Sequence, residues 1–139
     1  MKIAHAKDVP QSVKEACFKV WEGQIPKNIT DIAYTYGDTC YTPVMLTEDL
    51  IRHESKHTEQ QSREGMTPDL WWTKYGEDKE FRYQQELEAY KVQRTYIEAR
   101  YGKREAFNAA KKFAYDMSSP MYGNMVSYQK ALFDLTCNK

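Results

Sequence analysis

Apolar residues recur three and four positions apart over most of this chain, the pattern of amphipathic helices sharing one core. Val13, Ala16, Cys17, Val20 and Trp21 form the first stripe and predict a helix from Pro10 to Gly23, a proline tolerated at the start and a glycine at the stop. Leu46, Leu50 and Ile51 anchor a second helix from about Thr47 to Arg63. Thr47 is its expected cap, Glu48 and Asp49 suit the dipole in its first turn, and Gly65 ends it. Thr67-Pro68-Asp69 starts a short helix through Leu70-Trp71-Trp72-Thr73-Lys74-Tyr75, whose tryptophans are expected in packing and which stops at Gly76. A long helix from about Asp78 to Tyr101 is closed by Gly102. Lys103 to Met117 follows, with Ala106, Phe107, Ala110, Phe113 and Ala114 on one face. Ser119-Pro120 opens a last helix towards Cys137, striped by Met121, Met125, Tyr128, Leu132 and Leu135 and weakened in its first turn by Gly123.

One region breaks the helical period. After the connection Ile25-Pro26-Lys27-Asn28, the stretches Ile29 to Tyr36 and Thr39 to Met45 are rich in β-branched and aromatic residues. Gly37-Asp38 between them suits a two-residue hairpin turn. Pro43 restricts the second strand to an edge or to its final residues. The expected fold class is mainly α (α+β), a single domain over residues 1–139. It carries a small β-hairpin or short sheet ahead of the helix at Thr47, and shows no repeat, low-complexity segment or linker. An exposed strand edge there has a use, since it can hold an extended peptide by main-chain hydrogen bonds. A hairpin that merely covers one side of the core is the equal alternative.

Composition narrows the partners. Lys+Arg and Asp+Glu both number 20, so the formal net charge is zero and no overall field draws the chain to nucleic acid or an anionic membrane. Eleven tyrosines and three tryptophans fit helices packed through rings whose polar ends reach water. The start, Met1 to Asp8, has no signal-like apolar run, and nothing later approaches the roughly 18 apolar residues of a membrane span. Cys17, Cys40 and Cys137 form no Cys-x-x-Cys pair and read as reduced thiols of a cytoplasmic protein. Asn28-Ile29-Thr30 matches a glycosylation sequon only by chance on that reading. His5, alone near the terminus, is expected to be solvated or locally bonded.

The chemistry concentrates at His53-Glu54-Ser55-Lys56-His57. On a helix, residues four apart share a face, so both imidazoles can address one ion. Glu54 is rotated about 100° from His53, past the ion but within reach of a water beside it. Two nitrogen ligands, an open position and a carboxylate placed as general base make the arrangement of a zinc hydrolase. Such a site needs a third ligand, and among Glu80, Glu86, Glu88 and Glu98 of the long helix the neighbours decide. Glu86 is flanked at three and four positions by Arg82, Tyr83, Ala89 and Tyr90, a packable surface. Glu88 is flanked by Gln84, Gln85, Lys91 and Val92, a wetter one. Glu86 is the inward candidate.

His53-Glu54-Ser55-Lys56-His57-Thr58-Glu59-Gln60 followed by Glu86-Leu87-Glu88-Ala89-Tyr90 resembles the gluzincin metallopeptidases, most closely their smallest, minigluzincin-like members. With Trp71-Trp72-Thr73-Lys74-Tyr75, Phe81-Arg82 and Lys91-Val92-Gln93, the stretch from about Leu46 to Gln93 looks like small bacterial and phage proteins of that type. The resemblance implies a zincin-like fold, Zn²⁺ held by His53, His57 and Glu86, and Glu54 as general base. It implies hydrolysis of peptide bonds in a peptide or protein substrate by a zinc-held water, in the cytoplasm of a bacterium or of a phage's host. Where many gluzincins carry an Asp that orients a ligand histidine, this chain has Tyr90. Gln60, Tyr83 and Tyr90 are the candidates to support the ligands from behind, with Glu88 or a backbone carbonyl as further substitutes for the Asp. Tyr83, Tyr90, Tyr115 and Tyr122 are those to stabilise an oxyanion. The alternatives are a non-catalytic zinc-binding regulatory protein, in which the metal ties two helices together, and a metal-free helical interaction module.

Overall fold

Helices carry most of the chain, and the computed structural model describes residues 1–25 and 32–137. The connection predicted at 25–28 beyond Ile25, the first residues of the strand predicted from Ile29, and the sequon at 28–30 lie outside the described residues.

The β element is a three-stranded sheet. Strands β2 (Tyr34–Tyr36) and β3 (Thr39–Thr42) form the predicted hairpin, with Gly37 at a φ of 62° in its turn. The addition is β1 (Lys2–His5), which pairs parallel to β3 and makes β3 the central strand of the order β1-β3-β2. Its four residues are too few to show an alternation, and Ile3 stays exposed, so nothing in the local pattern announces it. Pro43 falls just past β3, where its missing N–H costs no ladder bond. His5 accepts a hydrogen bond from the Lys7 amide and caps a single tight turn at Ala6–Asp8.

Six α-helices follow among the described residues: α1 (Gln11–Val20), α2 (Glu48–Gln61), α3 (Pro68–Glu77), α4 (Lys79–Tyr101), α5 (Lys103–Met117) and α6 (Tyr128–Thr136). Thr67 and Asp78 cap α3 and α4 by accepting from backbone amides, as their residue types favour. Thr47 precedes α2, but its side chain does not make the expected cap: its hydroxyl donates to the Asp49 carboxylate and accepts from no backbone amide of the helix. Gly76 does not end α3. It lies within the helix because a Cβ there would meet the Ala16 Cα at 3.0 Å, so it lets α3 pack closely on α1. The predicted last helix is split into a tight turn at Pro120–Tyr122 and α6. Gly123 and Asn124 between them take left-handed φ values of 76° and 54°, which a continuous helix cannot contain.

Two apolar clusters result. One joins α4, α5 and α6 through Leu87, Tyr90, Phe113, Met117 and Leu135. The other joins α1 and α3 through Val13, Cys17, Val20, Trp71 and Tyr75. Phe107, expected on the inner face of α5, is half exposed. Helix α2 belongs to neither cluster. It packs against α4 and β2 between them, with the Tyr90 ring against His53 on one side and the Trp71 ring against His57 on the other.

Candidate metal centre

Every buried residue of α2 is polar: His53, Glu54, His57, Gln60 and Gln61. Leu50, predicted as an apolar anchor, lies on its exposed side. Burying such groups is costly unless each finds a partner, so the partners explain why the helix sits as it does.

The two histidines are held from behind by amides. His53 Nδ1 lies 3.0 Å from Gln93 Oε1, and Gln93 Nε2 donates to Asp49 Oδ2 at 2.7 Å. His57 Nδ1 lies 2.9 Å from Gln60 Oε1, and Gln60 Nε2 donates to the Gln85 carbonyl and to Glu88 Oε1, both at 3.0 Å. Because each amide nitrogen must face an acceptor, each amide oxygen must face an imidazole. Both rings therefore carry their proton on Nδ1 and turn the Nε2 lone pair the other way.

Those lone pairs converge on one carboxylate oxygen. Glu86 Oε1 is 3.2 Å from His53 Nε2 and 3.4 Å from His57 Nε2, and one ligand atom from each of the three residues falls within a common 4.8 Å. Three acceptors brought this close need a cation between them. With a proton as that cation, burial opposes the charge on His57, but Glu86 beside it outweighs burial and raises its pKa to about 9. Glu86, likewise opposed by burial, is held well below the usual carboxylate range by His57 and His53. A metal ion answers the same need. Two imidazole nitrogens and a carboxylate oxygen are a zinc donor set, and bonds of about 2.1 Å at tetrahedral angles would separate such donors by about 3.4 Å. The residues fit the ion. The second oxygen, Glu86 Oε2, accepts from the buried Tyr75 hydroxyl, whose pKa is pushed well up by burial and by the Glu86 charge. Arg82 fixes Tyr75 in turn by donating to its backbone carbonyl.

Glu54 points into the same space. Its Oε1 accepts from Thr35 Oγ1 at 2.8 Å, and its Oε2 stands 3.9 Å from His53 Nε2. One oxygen is pinned and the other faces the ligand cluster. These groups line a cavity of about 60 Å³, walled by Trp21, Tyr34, Trp71, Met121 and Tyr122.

The sequence candidates fall as follows. His53, His57 and Glu86 come together with Glu54 beside them, and Gln60 backs His57. Glu88 is half exposed, pairs with Arg63, and reaches the site only through Gln60. Tyr90 does not bond a ligand histidine; its ring packs edge-on against His53 with centroids 4.4 Å apart, and its hydroxyl pairs with that of Tyr122 at 2.8 Å. Tyr83 is elsewhere, donating to Asp134 on α6, and Tyr115 is exposed. On the β2 edge the Thr35 carbonyl is in use, accepting from Gln61 Nε2 and Trp72 Nε1. Sequence reasoning passed over Gln93 and Asp49, although helical spacing marks both: Gln93 lies two turns beyond Glu86 and Asp49 one turn before His53. Thr35 and Tyr75 carry no such mark.

No protein-family model, curated protein or solved structure matches this chain. No helix among the described residues is long and apolar enough to cross a membrane.

Proposed function

We propose that this chain is a zinc-dependent metallopeptidase of the gluzincin type. The observation that carries the reading is the convergence of His53 Nε2, His57 Nε2 and Glu86 Oε1, each imidazole locked in the tautomer that frees its lone pair, with Glu54 beside them. Zinc, when bound there, supplies a Lewis acid that brings the pKa of a water towards about 7 and polarises a carbonyl.

The remaining work belongs to the chain. Glu54 Oε2 accepts the proton of the attacking water and hands it to the leaving amine, while Thr35 keeps the carboxylate from rotating away. Gln93 and Gln60 take the part of the Asp that gluzincins place behind a ligand histidine. Trp71, packed on the His57 ring, and Tyr90, packed on the His53 ring, exclude water from the sides of the site. Of the candidate tyrosines, Tyr122 lines the cavity, with its hydroxyl tied to Tyr90, and we assign it the donation to an oxyanion.

Glu54→Gln tests this. The variant is expected to bind zinc one to one, by elemental analysis, and to lose at least about 10²-fold in cleavage of a peptide mixture. Hydrolysis at the wild-type rate would remove Glu54 from its role. A second reading, a zinc protein without turnover, is favoured by the confinement of the cavity to about 60 Å³. It predicts a melting temperature that falls sharply with chelator and no cleavage by the wild type.

A further inference from the structure

The cavity at the ligand cluster, about 60 Å³, has room for a few water molecules and none for a peptide side chain. A much larger hollow of about 370 Å³ adjoins it, within the range of ligand pockets generally. Cys17, Trp21 and Tyr34 line both, so one layer of side chains separates the hollow from the metal centre. Among the described residues the lining is mostly apolar, with Val13 buried and Phe18 and Ile25 exposed. Among the described residues two cations stand on it, Lys7 and Lys14, and neither has an ion pair there. The shared Cys17 is no nucleophile, because burial pushes its thiol up to about 12. An apolar chamber with a few placed charges, one layer of side chains from the ligand cluster, has the lining of a specificity pocket.

Resting on the peptidase reading, we propose that this hollow is the specificity subsite: it takes a large apolar side chain of the substrate whose adjacent carboxylate is bound by Lys7 and Lys14. That carboxylate is the substrate's own C-terminus or a neighbouring acidic side chain. Phe18 and Lys14 are the residues that set the preference.

The test is calorimetric titration of zinc-loaded Glu54→Gln protein with acetylated tripeptides. One set ends in phenylalanine as the free acid, one in phenylalanine amide, one in alanine as the free acid, and one carries an internal aspartate beside phenylalanine. Phenylalanine is expected to bind at least about tenfold tighter than alanine. The free acid is expected to exceed the amide about threefold, the modest advantage of an exposed ion pair. An internal aspartate that restores the amide's loss assigns the anion to a side chain, and one that does not assigns it to the C-terminus. Phe18→Ser should erase the phenylalanine preference and Lys14→Glu the acid preference, both at surface positions the fold does not rest on. Equal binding of phenylalanine and alanine peptides, or a preference untouched by both substitutions, overturns the subsite. Peptide selectivity in protein that holds no zinc would instead sink the metallopeptidase reading and leave the subsite standing.

Discussion

Helices α2 and α5 are almost equal in length, 14 and 15 residues, and each turns one face inward. The α5 face is Ala106, Ala110, Phe113, Ala114 and Met117, and it packs on α4 and α6 as any amphipathic helix does. The α2 face is two histidines, a glutamate and two glutamines. Burial of the first is favourable in itself, at roughly 25 cal/mol per Å² of apolar surface. Burial of the second is favourable only while every polar atom is matched, and the three convergent acceptors are matched only by a cation. The α5 face joins the core by burial alone; the α2 face stays buried only through the partners that α4, β2 and α3 bring to it.

The contrast is broken most severely by emptying each face in turn. Phe113→Ala removes a core ring, and a loss of about 3–5 kcal/mol is expected. Glu86→Ala opposite α2 leaves the two imidazoles without their anion, for a loss of similar size, about 3–5 kcal/mol. The two are told apart by zinc. Denaturation with and without a chelator should show Phe113→Ala keeping a zinc-dependent rise in stability, about 2.7 kcal/mol at a hundredfold excess over Kd. Glu86→Ala should show almost none. A full zinc response in Glu86→Ala would mean that the third ligand is another residue.

A finer break keeps the ligands and removes what orients them. Gln93→Leu frees the His53 ring to turn and leaves Asp49 without its amide, and Gln60→Leu does the same for His57 and Glu88. Each is expected to weaken zinc binding about 10- to 100-fold in a chelator competition. Gln93→Glu, which still accepts from Nδ1, should recover part of the loss if the acceptor is what matters. Unchanged affinity in both leucine variants would assign the glutamines to packing alone.

The two faces differ equally in how much the sequence disclosed. The stripe of α5 announced its inner side, and only Phe107 at the margin was misplaced. The motif in α2 was plain because its chemistry fixes residue types at a fixed spacing, and Glu86 followed from the character of its neighbours. What lay hidden depends on contacts across the fold. Thr35 reaches Glu54 from a strand and Tyr75 reaches Glu86 from another helix, and no periodicity within one segment records such meetings. Strand β1 was hidden for the same reason, since its pairing with β3 is parallel and distant in the chain. The split before α6 turns on the left-handed Gly123, whose Cβ would meet the Val20 carbonyl oxygen at 2.8 Å. A glycine in a stripe signals a weak point, while the neighbour that demands it is visible only once the chain is folded.

The smallest effect separates the faces by pH, because α5 buries no titratable group and α2 does. In the zinc-free protein His57 takes the cation's part, with its pKa raised to about 9 through Glu86 despite burial. A group raised on folding contributes stability in full below its unfolded value of about 6.5. That contribution fades as pH climbs through about 9. Zinc reverses the sign. It must expel the same proton, so its affinity rises with pH by up to about tenfold per unit until His57 is neutral. Calorimetry at pH 7.5 in buffers of different ionisation heat should therefore find about one proton released per zinc bound. A release near zero would mean that His57 is already neutral without metal and that some other cation balances Glu86.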